Sequence, residues 1–149
     1  MAGPTAQSET GPETVIHASA VSLGGRAVLI MGASGSGKSA LALELMALGA
    51  GLVADDRTLL RPDGPGVIAS APPRLAGLIE ARFVGLLNAD AAPPAPVALA
   101  IDLSRDETER LPPRRSLTLC GRSVPLLRRV AQPYFPAAIV QYLTAGRAE

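Results

Sequence analysis

The sequence has few aromatic side chains and almost no surplus of charge. Aromatic residues make up 3% of the 149 residues, and none of them is Trp. Proteins that stack single-stranded nucleic acid need several exposed rings, so the composition excludes that class. The 14 basic and 13 acidic residues leave a formal net charge of +1. No strongly basic face is expected, so neither nucleic acid nor a membrane is a predicted partner.

Cysteine is scarce, and long apolar runs are missing. The single cysteine, Cys120, excludes an internal disulfide and a cysteine-based zinc site. No apolar run approaches the roughly 20 residues that span a bilayer. Residues 1–14 carry neither the basic nor the apolar segment of a signal peptide, and we expect them to form a flexible tail. The remaining residues, 15–149, are predicted to form one domain of a cytoplasmic protein.

Lysine occurs once, at Lys38, against thirteen arginines. A lone lysine in such a background indicates a task that arginine cannot perform. It lies in a segment that matches the phosphate-loop pattern G-x-x-x-x-G-K-[ST]. The segment is Gly32-Ala33-Ser34-Gly35-Ser36-Gly37-Lys38-Ser39.

The context of this segment supports a nucleotide site. A buried strand is predicted over residues 27–31 and a helix over residues 38–48. The glycines let successive N–H groups point at phosphate oxygens, and the helix adds its positive end. We predict that Lys38 reaches the β- and γ-phosphates and that the Ser39 hydroxyl binds Mg²⁺. This predicts nucleotide binding but leaves the reaction open.

An acidic pair, Asp55-Asp56, follows a second short apolar run at residues 52–54. Two adjacent carboxylates at a strand end can divide two tasks, since one can hold Mg²⁺ and the other can accept a proton from an incoming hydroxyl. Their sequence alone does not say which carboxylate does which.

The rest of the chain reads mainly as strands. Gly24-Gly25 indicates a tight hairpin turn, and further hairpins are predicted over residues 58–71 and 117–127. Strands are predicted at 83–87 and 97–103, a helical turn or loop at 74–78, and a final helix at 135–145. We therefore predict an α/β fold with one mixed β-sheet and few helices.

These segments resemble a known family. Residues 29–45, Gly49 and residues 52–56 are similar to the catalytic domain of bacterial HPr kinase/phosphorylase, in the short alphaproteobacterial type that lacks an N-terminal domain. The resemblance implies a fold related to that of phosphoenolpyruvate carboxykinase. It also implies MgATP-dependent phosphorylation of a serine in the phosphocarrier protein HPr, reversal by phosphorolysis, and a role in phosphotransferase-system regulation. The family forms hexamers, so a homo-oligomer is expected.

Two further matches extend the resemblance. The only histidine, His17, lies where the family has its active-site histidine, and residues 78–86 match a family signature with Glu80, Arg82 and Gly85 in phase. Glu80 is then expected to join Ser39 at the metal. For His17, two implied roles are open, adjusting the protonation of the base or contacting phosphate. For Arg82, they are orienting the signature strand or offsetting charge in the transition state.

The two aspartates receive roles within the same resemblance. Asp55 is slightly favoured as the general base, and Asp56 is expected to help at the metal, directly or through water.

Several positions depart from the family pattern. Ala33 and Ala40 replace acidic residues, and Phe83 replaces the first glycine of the signature. The family's C-terminal arginine segment has no alignable match here, and Arg128 and Arg129 are weak candidates for its phosphate contact. Phosphorolysis is therefore expected to be weak. Two alternatives stay open at this point, a non-catalytic ATP-sensing module and a phosphate-loop kinase for a small molecule.

Overall fold

The computed structural model describes residues 13–149, which form eleven strands and two α-helices. The helices are α1 (Lys38–Ala47) and α2 (Phe135–Ala145), and a single 3₁₀ turn covers Pro73–Leu75. The strands are β1 (Thr14–Ile16), β2 (Ala18–Leu23), β3 (Arg26–Met31), β4 (Gly51–Ala54), β5 (Thr58–Asp63), β6 (Gly66–Ser70), β7 (Leu78–Ala81), β8 (Gly85–Asn88), β9 (Ala95–Asp106), β10 (Arg115–Leu119) and β11 (Arg122–Arg129).

Nine of these strands form one curled mixed sheet. Its order is β1-β5-β6-β9-β3-β2-β4, and β11 pairs with β9 and carries β10. The strands β3, β9 and β11 run parallel to one another, while β2 is antiparallel to both of its neighbours, β3 and β4. The carboxyl ends of β3 and β4 therefore lie at the same edge of the sheet. The hairpin β7–β8 forms a separate two-stranded sheet.

The sheet divides the apolar core in two. Along β3, Val28 and Ile30 pack against the helices, whereas Ala27 and Leu29 pack into a second cluster on the opposite face. All four are fully buried. A strand that is buried on both faces needs a continuous apolar sequence, which is what residues 27–31 have.

Both helices pack on one face of the sheet. In α1, Leu41 and Leu45 are buried in the first core cluster, and in α2, Ile139 and Leu143 are buried in the same cluster. The four residues recur at the i, i+4 spacing that places side chains on one side of a helix.

The predicted architecture is confirmed. The structure is a mixed α/β domain with two helices, and α2 covers the predicted residues 135–145. The hairpins β2–β3, β5–β6 and β10–β11 form where turns were expected. Of the predicted tail, residues 1–12 lie outside the described part of the chain, and Thr14 opens β1.

The strand predicted over residues 83–87 begins two residues later in the structure. Residues 83–87 were expected to be a strand, but β8 begins at Gly85 and Phe83 lies in the turn that follows β7. Phe83 has a positive φ of 69° and its side chain is fully exposed. An apolar run that reads as a strand is here the tip of a hairpin.

Neither helix within residues 13–149 is both long enough and apolar enough to cross a membrane.

The left-handed backbone conformation of Phe83 predicts that a glycine at this position stabilises the fold. A left-handed backbone costs an L-residue about 1–2 kcal/mol, and glycine avoids that cost but loses more entropy on folding. We expect Phe83→Gly to raise the free energy of unfolding by about 1 kcal/mol, measured by denaturant titration. Phe83→Ala is the matched control, because it removes the exposed ring and keeps the backbone cost. An equal gain in both variants would show that the backbone is not the cause.

Candidate active site

The phosphate-loop segment connects β3 to α1 as a tight Gly-rich turn. Ser36 N–H donates to the Ala33 carbonyl, and Gly35 and Gly37 have positive φ angles of 83° and 100°. The residue before α1 is Gly37, and it supplies no capping side chain. The first N–H groups of a helix have no partners within it, so they are available to an anion at this end.

Lys38 is held inside this loop. Its side chain is buried, and its Nζ donates to the carbonyl oxygens of Gly32 at 2.8 Å and Ala33 at 3.1 Å. These two contacts place the ammonium within the turn of backbone, where a phosphate group bound by the loop would be its natural counter-charge.

The loop also contains a buried hydroxyl that lacks a partner. Ser36 Oγ is buried and makes no hydrogen bond within the described part of the chain. A Cβ added to Gly32 would lie 2.4 Å from this oxygen, and the φ of 154° at Gly32 also favours glycine there. A buried polar atom without a partner usually marks a site for water or a ligand.

Asp55 connects three parts of the molecule. Its Oδ1 accepts hydrogen bonds from the hydroxyls of Ser39, at 2.6 Å, and Ser19, at 2.8 Å. Its Oδ2 accepts the backbone N–H of Glu80 at 3.1 Å. The carboxylate is buried, so it is compensated by these donors from α1, β2 and β7.

Asp56 points the opposite way. It has a positive φ of 67°, which turns the chain directly after Asp55, and its side chain is more than half exposed. His17 Nε2 lies 2.6 Å from Asp56 Oδ1, and the Asp56 N–H donates to Ser19 Oγ. The turn therefore separates a buried carboxylate from an accessible one. Aspartate tolerates this left-handed conformation better than most residues do.

A cleft of about 520 Å³ joins these groups. Its wall contains Lys38 and Ser39 from the start of α1, together with Asp56, Glu80 and Arg82. These five residues, all predicted at the site, line the cleft directly. His17 and Asp55 do not line it, but His17 contacts Asp56 and Asp55 accepts a hydrogen bond from Ser39. Arg128 and Arg129, the weak candidates, are not in its lining.

The side chains around the cleft suit magnesium that is shared with a nucleotide. Within residues 13–149, no group of three or more His, Cys, Asp or Glu residues could hold a metal ion by itself. Mg²⁺ typically uses one or two protein oxygens and completes its shell with water and phosphate oxygens. The Ser39 hydroxyl and the carboxylates of Asp56 and Glu80 are oxygen donors of that kind.

Ser19 is the residue that sequence reasoning missed. It is fully buried on β2 and touches both aspartates, although 36 residues separate it from Asp55. Its position two residues after His17 was the only available signal, because the contact depends on how β2 pairs with β4.

Ser19 allows a direct test of this arrangement. Ser19→Ala removes a hydrogen bond to a buried carboxylate, and we expect the free energy of unfolding to fall by about 1.5–3 kcal/mol in a denaturant titration. Ser22→Ala, on the same strand, is the matched control and should change stability by less than about 0.5 kcal/mol. Equal losses in the two variants would contradict the contact of Ser19 with Asp55.

Comparisons with known proteins find relatives of this chain. HPr kinase/phosphorylase of Bordetella pertussis is 49% identical over 78 residues, which is 52% of this chain and 25% of that protein. HPr kinase/phosphorylase 1 of Oceanobacillus iheyensis is 45% identical over 83 residues, 55% of this chain and 27% of that protein. The matched part thus spans about a quarter of the length of these curated relatives.

The fold has a solved counterpart in the HPr(Ser) kinase/phosphatase from Coxiella burnetii. The two structures superpose with a TM-score of 0.73 at 24% sequence identity, over 87% of this chain and 93% of that one.

A family model also matches the chain. The model describes the HPr Serine kinase C-terminal domain, and it matches residues 8–92, more than half of the sequence. That range contains the phosphate loop, both aspartates, His17 and the β7–β8 hairpin. The chain therefore belongs to the HPr serine kinase C-terminal domain family.

Proposed function

We propose that this chain is an ATP-dependent protein serine kinase that phosphorylates the phosphocarrier protein HPr. The observation that carries the proposal is the single cleft that contains the phosphate loop, Asp56, Glu80 and Arg82. The names of the relatives, HPr kinase/phosphorylase, support the choice of acceptor. Its cytoplasmic location, its homo-oligomeric state and its division into a tail and one domain stay predictions.

The phosphate loop would hold the ATP phosphates. The backbone N–H groups of Gly35 and of residues 37–39 would face the anion, and Lys38 would exchange its two carbonyl acceptors for phosphate oxygens. This exchange is favourable because an ammonium binds a phosphate more strongly than a neutral carbonyl. Ser36 Oγ, which has no partner in the described chain, is a further donor within the same turn.

Ser39 and Glu80 are the proposed protein ligands of Mg²⁺. A bound Mg²⁺ would offset negative charge that develops on the phosphate oxygens. The Ser39 hydroxyl can present its oxygen to the metal while it continues to donate its proton to Asp55. Asp55 is then the carboxylate that fixes the orientation of the metal ligand.

We assign the role of general base to Asp56. This assignment replaces Asp55, which the sequence slightly favours for that role. Asp55 already accepts three hydrogen bonds and is buried, so an incoming hydroxyl cannot easily reach it. Asp56 lines the cleft and is more than half exposed. His17, at 2.6 Å from Asp56 Oδ1, orients this carboxylate.

The transfer step follows from these positions. The acceptor serine oxygen attacks the γ-phosphorus, the bond from that phosphorus to the β–γ bridging oxygen breaks, and ADP leaves. Asp56 takes the proton that the serine hydroxyl loses. In phosphorolysis inorganic phosphate would attack the phosphoserine phosphorus, and the bond from that phosphorus to the serine oxygen would break. The protonated Asp56 would return the proton to the serine oxygen, and pyrophosphate would leave. Arg82, in the same cleft, would offset negative charge in both directions.

The mouth of the cleft favours a protein acceptor. Phe83, Val84 and Leu86 are exposed apolar side chains on the β7–β8 hairpin, and Val84 also lines the cleft. Clustered exposed apolar side chains are typical of protein-binding surfaces. A small polar metabolite would gain nothing from them, and no relative named above supports a non-catalytic ATP sensor.

The proposal is tested by mass spectrometry of HPr after incubation with MgATP and this protein. We expect HPr to gain the mass of one phosphate, located on a serine. Lys38→Ala is the control, because it removes the loop ammonium, and it should abolish the gain. An unchanged HPr mass with the unaltered protein over a range of ATP concentrations would overturn the proposal.

The exchange of the two aspartate roles gives a separate prediction. Asp56→Asn should lower the transfer rate about 10²–10⁴-fold, because the amide cannot accept the proton, with MgADP affinity nearly unchanged. Asp55→Asn should instead weaken Mg²⁺-dependent nucleotide binding, measured by calorimetry with and without Mg²⁺. The reverse pattern would return the base to Asp55.

A further inference from the structure

A second cavity lies on the other side of the first turn of α1. Its volume is about 440 Å³, which falls in the range of small-molecule sites. It shares Gly37 and Ala40 with the first cleft, so the two cavities meet over the start of the helix. Its remaining walls come from the end of β9 and from the connection between β11 and α2.

The sheet topology opens this cavity at the carboxyl ends of parallel strands. Leu103 is near the end of β9, Arg129 is the last residue of β11, and Val130 follows it. Both strands run in the direction of β3, which leads into the phosphate loop. Ligands of open α/β sheets bind outside the carboxyl ends of such strands.

The positions of the proposed metal ligands orient a nucleotide, because Ser39 and Glu80 line the first cleft and not the second cavity. The first cleft contains Asp56 and Glu80, which suit the metal and the reacting end of the phosphate chain. Because that chain would cross the start of α1 near Gly37, its other end must leave on the opposite side. That side is the second cavity.

The lining of the second cavity fits a nucleoside. Leu103, Phe135 and Pro136 are buried and form apolar walls for the faces of a base. Gln132 and Glu44, both exposed, supply polar atoms at the rim for the edge of a base and for ribose hydroxyls. Ser36, whose buried hydroxyl lacks a partner in the described chain, also lines this cavity.

We infer that the cavity between α1 and residues 129–136 binds the nucleoside part of the nucleotide, so that the phosphates pass over Gly37 toward the first cleft. This inference rests on the proposed use of ATP, and it assigns a role to the C-terminal part of the chain that the family model does not match.

Calorimetric titration of ADP and of tripolyphosphate, each with Mg²⁺, tests the assignment. Ala131→Trp fills the cavity from an exposed position on the connection between β11 and α2. We expect it to weaken ADP binding about tenfold or more, equivalent to at least 1.4 kcal/mol, and to leave tripolyphosphate binding unchanged. Ala137→Trp, exposed on α2 and outside both cavities described above, is the matched control and should change neither affinity.

Two further measurements keep the outcomes distinct. Gln132→Ala should weaken ADP but not tripolyphosphate, and it stands in for Ala131→Trp if thermal melting shows that the latter does not fold. Val84→Trp narrows the first cleft, and a selective loss of ADP there, with none from Ala131→Trp, overturns the inference. An unchanged ADP affinity in the folded Ala131→Trp variant also overturns it but leaves the kinase proposal intact. Failure of the unaltered protein to bind either ligand overturns both.

Discussion

The site depends on the hydrogen bonds that the buried carboxylate of Asp55 accepts. Burial of this charge is costly unless the carboxylate is fully hydrogen-bonded. Its three donors come from three elements: Ser39 at the start of α1, Ser19 on β2, and the backbone of Glu80 on β7. Satisfying one buried charge therefore fixes the phosphate loop, the sheet edge and the signature hairpin relative to one another.

The same hydrogen bonds give the two aspartates of the acidic pair different environments. Because Asp55 is fixed inward, the left-handed turn at Asp56 directs the next carboxylate outward into the cleft, beside His17. One carboxylate is then enclosed by its three donors, and the other is accessible from the cleft. The strain of a positive φ is tolerated here because the Asp56 N–H is held by Ser19.

The parts of the site that the sequence predicts are local ones. The glycine pattern and Lys38 define the loop, and a helix follows directly, because both depend on neighbouring residues. The different environments of Asp55 and Asp56 depend instead on pairing between β2 and β4, which brings Ser19 to Asp55 across 36 residues. The second cavity depends on β9 and β11 running parallel to β3, and no local pattern specifies that register.

The fold shows the same contrast between features that depend on neighbouring residues and features that do not. Hairpins and α2 were predicted correctly, because turn residues and helical periodicity are short-range signals. Phe83 was misplaced, since an apolar residue in a strand-like run gives no indication that it will occupy a left-handed turn. The resemblance to the family aligned this position with a glycine, which was the one hint of the turn.

The proposed division of roles between Asp55 and Asp56 is tested most directly by a crystal structure with MgADP and beryllium fluoride. Beryllium fluoride mimics the phosphoryl group that is transferred. We expect the fluoride group between Lys38 Nζ and the Asp56 carboxylate, with Mg²⁺ on the Ser39 hydroxyl and Asp55 still hydrogen-bonded to Ser19. A fluoride group in contact with Asp55, or a nucleotide bound away from the loop, would contradict it.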